Sequence, residues 1–192
     1  RWTMIVIKDK KDSIIKMKEL RLNYFPLDVF EVTDVQGLKT FMEMYPAKEY
    51  VLRSANKAKG DFFFVKNIEE AKEKLSNFED DVTISVSYNE YKEDIILVGD
   101  IIIHKDFNSQ MVDITARDDI EATHRNIYDN PKYNLHTSIE DDKLWKIPGI
   151  SKIMRYISDN ELYNVIIEFS VYDCKIGINK DNVVISELRT GY

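Results

Sequence analysis

The closing stretch NVIIEFSVYDCKIGINKDNVVISELRTGY (residues 164–192) holds two long apolar runs joined by the turn-forming NKDN. Runs this rich in β-branched and aromatic residues read as strands, and the polar turn folds them into a meander. Each run carries a glutamate in its interior, Glu168 and Glu187, and Arg189 follows the second. Alternation assigns the faces. Over 165–172, Val165, Ile167, Phe169 and Val171 share one side, and Glu168 shares the other with Ile166, Ser170 and Tyr172. Over 183–189, Val183, Ile185, Glu187 and Arg189 share a side, with Val184, Ser186 and Leu188 opposite. A meander through CKIGI and its turn brings the two glutamates side by side on one sheet. Carboxylates that close repel unless a cation sits between them. Mg²⁺, a hard cation that takes carboxylate oxygens and substrate phosphates, suits that place. The plainer alternative pairs each glutamate with an arginine or lysine on an exposed sheet face.

Upstream, strand and helix patterns alternate. Residues 3–8, 28–33, 49–55, 60–67 and 81–88 read as strands, and 93–107 as a pair of strands turning at Gly99-Asp100. Helical spacing marks 12–22, capped by Asp12 or Ser13, and 34–46, stopped by Pro46. It also marks 67–78, capped by Asn67, and 148–162, with Pro148 at its start. The polar segment 108–145 has weak periodicity and is expected to hold a loop and a short helix. Residues 49–107 are expected to form an antiparallel sheet with the helix 67–78 on one face. Strands and helices alternate early and hairpins dominate late, which predicts an α+β fold with antiparallel sheets and packed helices.

Composition narrows the function. A net charge of −7 argues against a protein built to grip nucleic acid. No apolar run approaches the roughly 18 residues of a membrane span. A single cysteine, Cys174, excludes an internal disulfide and fits a cytoplasmic location. Three scattered histidines make no zinc pattern. Position 1 is not Met, and a native start is expected at Met4. In EYVLRSANKAKGDFFFVKN (49–67), Arg53 ends a strand, and Lys57, Lys59 and Gly60 follow in a short loop before the next strand. Such a loop can close over phosphates through its backbone N–H groups and its charge; it is equally the make-up of a basic surface hairpin.

The order strand, Arg53, basic loop, strand, helix, then EDIILVGDIIIH, then two acidic strands resembles the ATP-grasp fold. YVLRSANKAKGDFFFV (50–65) looks like the first ATP-binding hairpin of the branch that uses arginine on the strand and lysine in the loop. NEYKEDIILVGDIIIHKDF (89–107) is similar to the segment that follows the adenine hinge, and 166–192 looks like the metal-binding end. The resemblance implies a shortened leading subdomain over 1–48 and a nucleotide-binding region over 49–192. It implies ATP and Mg²⁺ as cofactors, with Glu168 and Glu187 as metal ligands. Arg53, Lys57, Lys59, Gly60 and Arg117 would hold the nucleotide, with Arg53 and Arg189 in catalytic roles. An acyl-phosphate would form on an unknown carboxylate substrate and be passed to an amine or thiol. The implied partners are small molecules, with no nucleic acid and no membrane; a homo-oligomer is left open.

Three departures stand against the family pattern. Its acidic–x–Asn ending is Glu187-Leu188-Arg189 here, similar to the Gln-x-Arg-Pro ending of pyruvate-phosphate dikinase-type nucleotide domains. The phosphate loop is nearly free of glycine, and the leading subdomain is small. A catalytically degenerate binding or interaction module is therefore the alternative, with a nucleotide-dependent phosphotransferase and a plain structural protein behind it. Among other residues, Arg117 and Arg125 either reach the phosphates or pair with Asp118, Asp119 and Glu121. His124 is expected to be exposed unless it contacts phosphate, His104 to be structural, and Trp145 to be core or a lid anchor. Tyr88 and Tyr91 flank the expected hinge.

Overall fold

The computed structural model describes residues 4–56 and 60–191. Helix α1 (Lys10–Glu19) starts at Asp9, whose carboxylate accepts from Asp12 N–H; the cap therefore lies upstream of the expected Asp12 or Ser13. The expected strand at 3–8 is not seen over its described part. The backbone of Ile7 instead bonds the Thr190 hydroxyl, N–H to Oγ1 at 2.7 Å and Oγ1 to the carbonyl at 3.1 Å, so a side chain takes the place of a ladder partner.

Four strands build the first sheet: β1 (Leu27–Phe30), β2 (Tyr50–Ser54), β3 (Phe62–Val65) and β4 (Val82–Val86), in the order β1-β4-β2-β3. Every pairing is antiparallel. Helices α2 (Val35–Met44) and α3 (Ile68–Leu75) pack on it, capped by Asp34 and Asn67. Leu38, Phe41, Ala71 and Leu75 of these helices bury against Tyr50, Leu52, Val65 and Ile84. Neither helix has the length to stand alone in water; the apolar stripe each lays on the sheet holds it.

The second sheet contains β5 (Ile95–Lys105), β6 (Gln110–Arg117), β7 (Tyr133–Ser138), β8 (Ile166–Ile176) and β9 (Asp181–Arg189), in the order β7-β6-β5-β8-β9 and antiparallel throughout. Helices α4 (Asp142–Trp145) and α5 (Ile150–Asp159) share one core with α1 and one face of this sheet. In that core Met17, Leu144, Ile153 and Ile157 meet Ile101, Ile114, Phe169 and Ile185. No helix among the described residues is long and apolar enough to cross a membrane.

Three expectations change here. Residues 93–107 hold one eleven-residue strand, Ile95–Lys105, rather than two. Gly99 does not turn the chain: a Cβ there would lie 2.7 Å from Ala116 Cβ and 3.0 Å from Phe169 Cζ, so glycine permits close strand packing. The sheet expected over 49–107 is consequently divided, with β2 to β4 in one sheet and β5 in the other. The 108–145 segment contributes β6 and β7 besides a short helix. β6 alternates, with Val112, Ile114 and Ala116 buried between half-buried neighbours, whereas β7 has no fully buried position.

Candidate functional site

The hairpin β8–β9 sets Glu168 directly opposite Glu187. Strict alternation does not achieve this. Phe169 pairs Ile185 while Glu168 pairs Glu187, so Ser186 is an extra residue on β9. A bulge of this kind flips everything beyond it to the other face. Val183 and Ile185 enter the helix-covered core, as does Leu188, and Glu187 turns away from it to join Glu168. The expected grouping of Glu187 with Val183 and Ile185 is thus corrected by one inserted serine.

The next strand adds a third acid. Asp100 on β5 pairs with Glu168, so Asp100, Glu168 and Glu187 lie abreast across three strands. Asp100 is only 6% exposed. Its Oδ2 accepts from Tyr128 Oη at 3.0 Å and from Arg189 Nη2 at 3.2 Å. The Arg189 guanidinium also lies 3.4 Å from Glu168 Oε1 and 3.7 Å from Glu187 Oε2. Charge is not balanced by these contacts alone: burial, and then the Glu168 charge, push the Glu187 carboxyl up to about 7, against the pull of Lys10, Arg189 and Arg53.

A loop folds over this face. Ala122 and Ile127 plug against Val98, and Arg117 grips Asp119 at 2.8 Å and the Asn126 carbonyl at 3.3 Å. Arg117 therefore braces the loop. The loop delivers His124, whose Nδ1 lies 3.4 Å from Asp100 Oδ1. Both ring nitrogens of His124 and Asp100 Oδ1 are buried with no hydrogen-bond partner among the described residues. Burial works against an imidazolium at His124, but Asp100, Glu168 and Glu187 overcome it and raise its pKa. Burial and the Asp100 carboxylate raise the Tyr128 hydroxyl to about 12, so it stays a donor.

Cations face the acids. Arg53 sits on β2 opposite Phe62, and its guanidinium lies over the Phe62 ring at 5.8 Å, with that of Arg125 at 4.4 Å from the same ring. Arg53 Nε is buried without a hydrogen-bond partner among the described residues. Lys10, at the start of α1, is held below its usual range by burial and by Arg53, while Glu187 and Glu168 pull it up. Gly60 lies in the connection before β3; Lys57 and Lys59 lie outside the described residues.

Of the expected site residues, Glu168, Glu187, Arg189 and Arg53 come together. Arg125, left open in the sequence, joins them. Asp100, Lys10 and Tyr128 were missed. Asp100 carried the same signal as the glutamates, a carboxylate inside an apolar run, but the adjacent glycine disguised it as a turn. His124 is enclosed rather than exposed, because the Ala122 and Ile127 anchors press its loop onto the sheet. His104, expected to be structural, faces solvent and lies 2.7 Å from Asp113 on the neighbouring strand, which His136 also contacts. Tyr91 stacks on Phe25 and meets Tyr172 edge-on.

No family model and no curated protein matches this sequence. Solved structures do match its fold. D-alanyl-alanine synthetase A from Vibrio cholerae O1 biovar eltor superposes with a TM-score of 0.58 at 8% identity, over 95% of this chain and 55% of that one. N5-carboxyaminoimidazole ribonucleotide synthetase in its ADP complex gives 0.57 at 11% identity, over 94% of this chain and 44% of that one. Carboxyaminoimidazole ribonucleotide synthase from Aspergillus clavatus with ATP gives 0.53 at 12% identity, over 95% and 44%. The chain has the ATP-grasp fold and spans about half the length of these proteins.

Proposed function

We propose that this chain binds Mg·ATP between its two sheets and activates a carboxylate as an acyl-phosphate. The observation that carries the reading is the confrontation of Asp100, Glu168 and Glu187 on one sheet with Arg53 on the other and Lys10 between. Triphosphate is the kind of ligand that such cations hold and that such acids reach only through a metal. The donor set fits Mg²⁺: Glu168 and Glu187 offer hard oxygens from paired positions, and the raised Glu187 carboxyl marks negative charge that a cation would relieve. When bound, the ion would neutralise charge on the transferring phosphoryl group.

In this reading Arg53, with Lys57, Lys59 and the backbone at Gly60, grips the phosphates, as in the arginine/lysine-type branch. Arg125 stands beside Arg53 on the Phe62 ring. The substrate carboxylate oxygen attacks the γ-phosphorus, the bond to the β–γ bridging oxygen breaks, and ADP leaves. An amine or thiol then displaces phosphate from the acyl carbon. Preorganised cations lower the barrier because they need not reorient as charge develops.

A second reading keeps the fold without turnover. It is favoured by Arg189, which lies within 3.7 Å of all three acids where the family pattern has a neutral ligand. A fork of charge that meets three carboxylates can stand in for a metal. Calorimetric titration of ATP with and without Mg²⁺ separates the two. Mg²⁺-dependent binding is expected for the wild type and is expected to vanish in a folded Arg53→Ala variant. Unchanged affinity in that variant would make the basic hairpin an ordinary surface turn. Binding that appears only in Arg189→Gln, or in neither protein, would leave the second reading.

A further inference from the structure

The acid pair Glu168 and Glu187 does not explain the unsatisfied atoms of this face. Those atoms belong to Asp100 and His124. Both partners of Asp100, Tyr128 Oη and Arg189 Nη2, take Oδ2. The other oxygen, Oδ1, is buried, has no hydrogen-bond partner among the described residues and faces His124. The imidazole is equally wanting: both nitrogens are shut from solvent and neither makes a hydrogen bond of good geometry among the described residues, although Nδ1 lies 3.4 Å from Asp100 Oδ1. A buried carboxylate oxygen and buried imidazole nitrogens each cost free energy when they lack a hydrogen bond. Unsatisfied buried groups in a native fold call for an explanation, and a bound ion is one.

We propose that Asp100, His124 and Glu168 form a binding site for a divalent first-row transition-metal ion such as Zn²⁺ or Co²⁺, filled without nucleotide. The three residues each offer a ligand atom, and these lie within 4.8 Å of one another. The His124 Nδ1 to Asp100 Oδ1 separation of 3.4 Å is what two ligands about 2.1 Å from one ion span at a tetrahedral angle. Mixed imidazole and carboxylate donors favour borderline ions over Mg²⁺, which prefers oxygen alone. The setting supplies the outer contacts that metal ligands need: Tyr128 and Arg189 orient the Asp100 carboxylate from its far oxygen. Asp100, Glu168 and Glu187 bring three carboxylates to the Arg189 guanidinium on this face, with Lys10 and Arg53 facing them.

The surface trio His104, Asp113 and His136 is the competing candidate, and it supplies the control. The test uses the full chain in metal-free buffer, without nucleotide, titrated with Co²⁺ and followed by its visible d–d absorption. One Co²⁺ per chain is expected, displaced by Zn²⁺ but not by Mg²⁺ at equal concentration. His124→Ala and Asp100→Asn are each expected to weaken Co²⁺ by about 100-fold or more, since even outer contacts are worth 10–100-fold. Circular dichroism checks that the variants remain folded, and Glu168→Gln repeats the test on the third ligand. The double variant H104Q/H136Q is expected to bind as the wild type does. Absence of Co²⁺ and Zn²⁺ binding, unchanged affinity in the folded ligand variants, or loss confined to the double variant would overturn the proposal. With no nucleotide present, this outcome and that of the ATP titration can fail independently.

Discussion

At its turn end the β8–β9 hairpin is closed by Asn23, and at its open end it carries Glu168, Glu187 and Arg189. Both ends are polar, but they solve burial differently. The Asn23 side chain is fully buried, and its amide donates to the Ile176 and Val183 carbonyls at 3.0 and 2.8 Å. Its Oδ1 accepts from Asn179 N–H, and its carbonyl from Ile185 N–H, both at 2.8 Å. Gly177 is required beside it: its φ is +82°, and a Cβ there would lie 2.5 Å from Asn23 Oδ1. Nearby, Asp181 accepts from Lys152 at 2.7 Å and Tyr156 at 2.9 Å. Donors and acceptors at this end are matched. At the open end three acids share the Arg189 guanidinium, and Asp100 Oδ1 and both His124 nitrogens have no hydrogen-bond partner among the described residues. The saturated end fixes a fold, whereas the open end gathers like charge on one sheet face.

The largest effect should come from the saturated end. Asn23→Ala is expected to destabilise the protein by about 3 kcal/mol, because several buried backbone groups lose their partners at once. Equilibrium denaturation in urea measures it, and a cost below about 1 kcal/mol would mean that the turn is not held in this way.

The open end should respond with the opposite sign. A carboxyl raised to about 7 in the folded state holds its proton more tightly there than when unfolded. It contributes stability at low pH that is lost as pH rises from the ordinary glutamate range through about 7. Glu187→Gln, in buffer containing a chelator, is therefore expected to gain about 2 kcal/mol over the wild type at pH 8, and little at pH 4. Thermal melts across that range test it, and a loss of stability at pH 8 would make the open end as well matched as the turn.

Asp181 should give the smallest effect. Burial raises its pKa, but the Lys152 and Tyr156 donors and the Asn182 N–H outweigh it, and the net shift is downward. The depressed carboxyl contributes stability above its unfolded pKa that is lost as pH falls through the folded one. Lys152 is about half exposed, so solvent screens the pair, and Asp181→Asn is expected to cost about 1 kcal/mol at neutral pH. The difference should shrink in melts taken below pH 4.

Local patterns determined a good deal of this protein. Asn67 announced its helix, because an N-cap is a contact within four residues. The strands around Arg53 and around the two glutamates were legible from β-branched runs, and the carboxylates stood out because buried strands rarely carry them. What the sequence alone left hidden depended on contacts distant along the chain. Gly99 reads as a turn until Ala116 and Phe169 are found against it. Ser186 reads as an ordinary strand residue until the partner strand shows that it has no opposite number. Asp100 and His124 meet only after β5, β8 and the loop held by Arg117 assemble. Secondary structure is written in neighbouring residues, but register and the meeting of charges are settled by which surfaces bury together, and only the tertiary structure decides that.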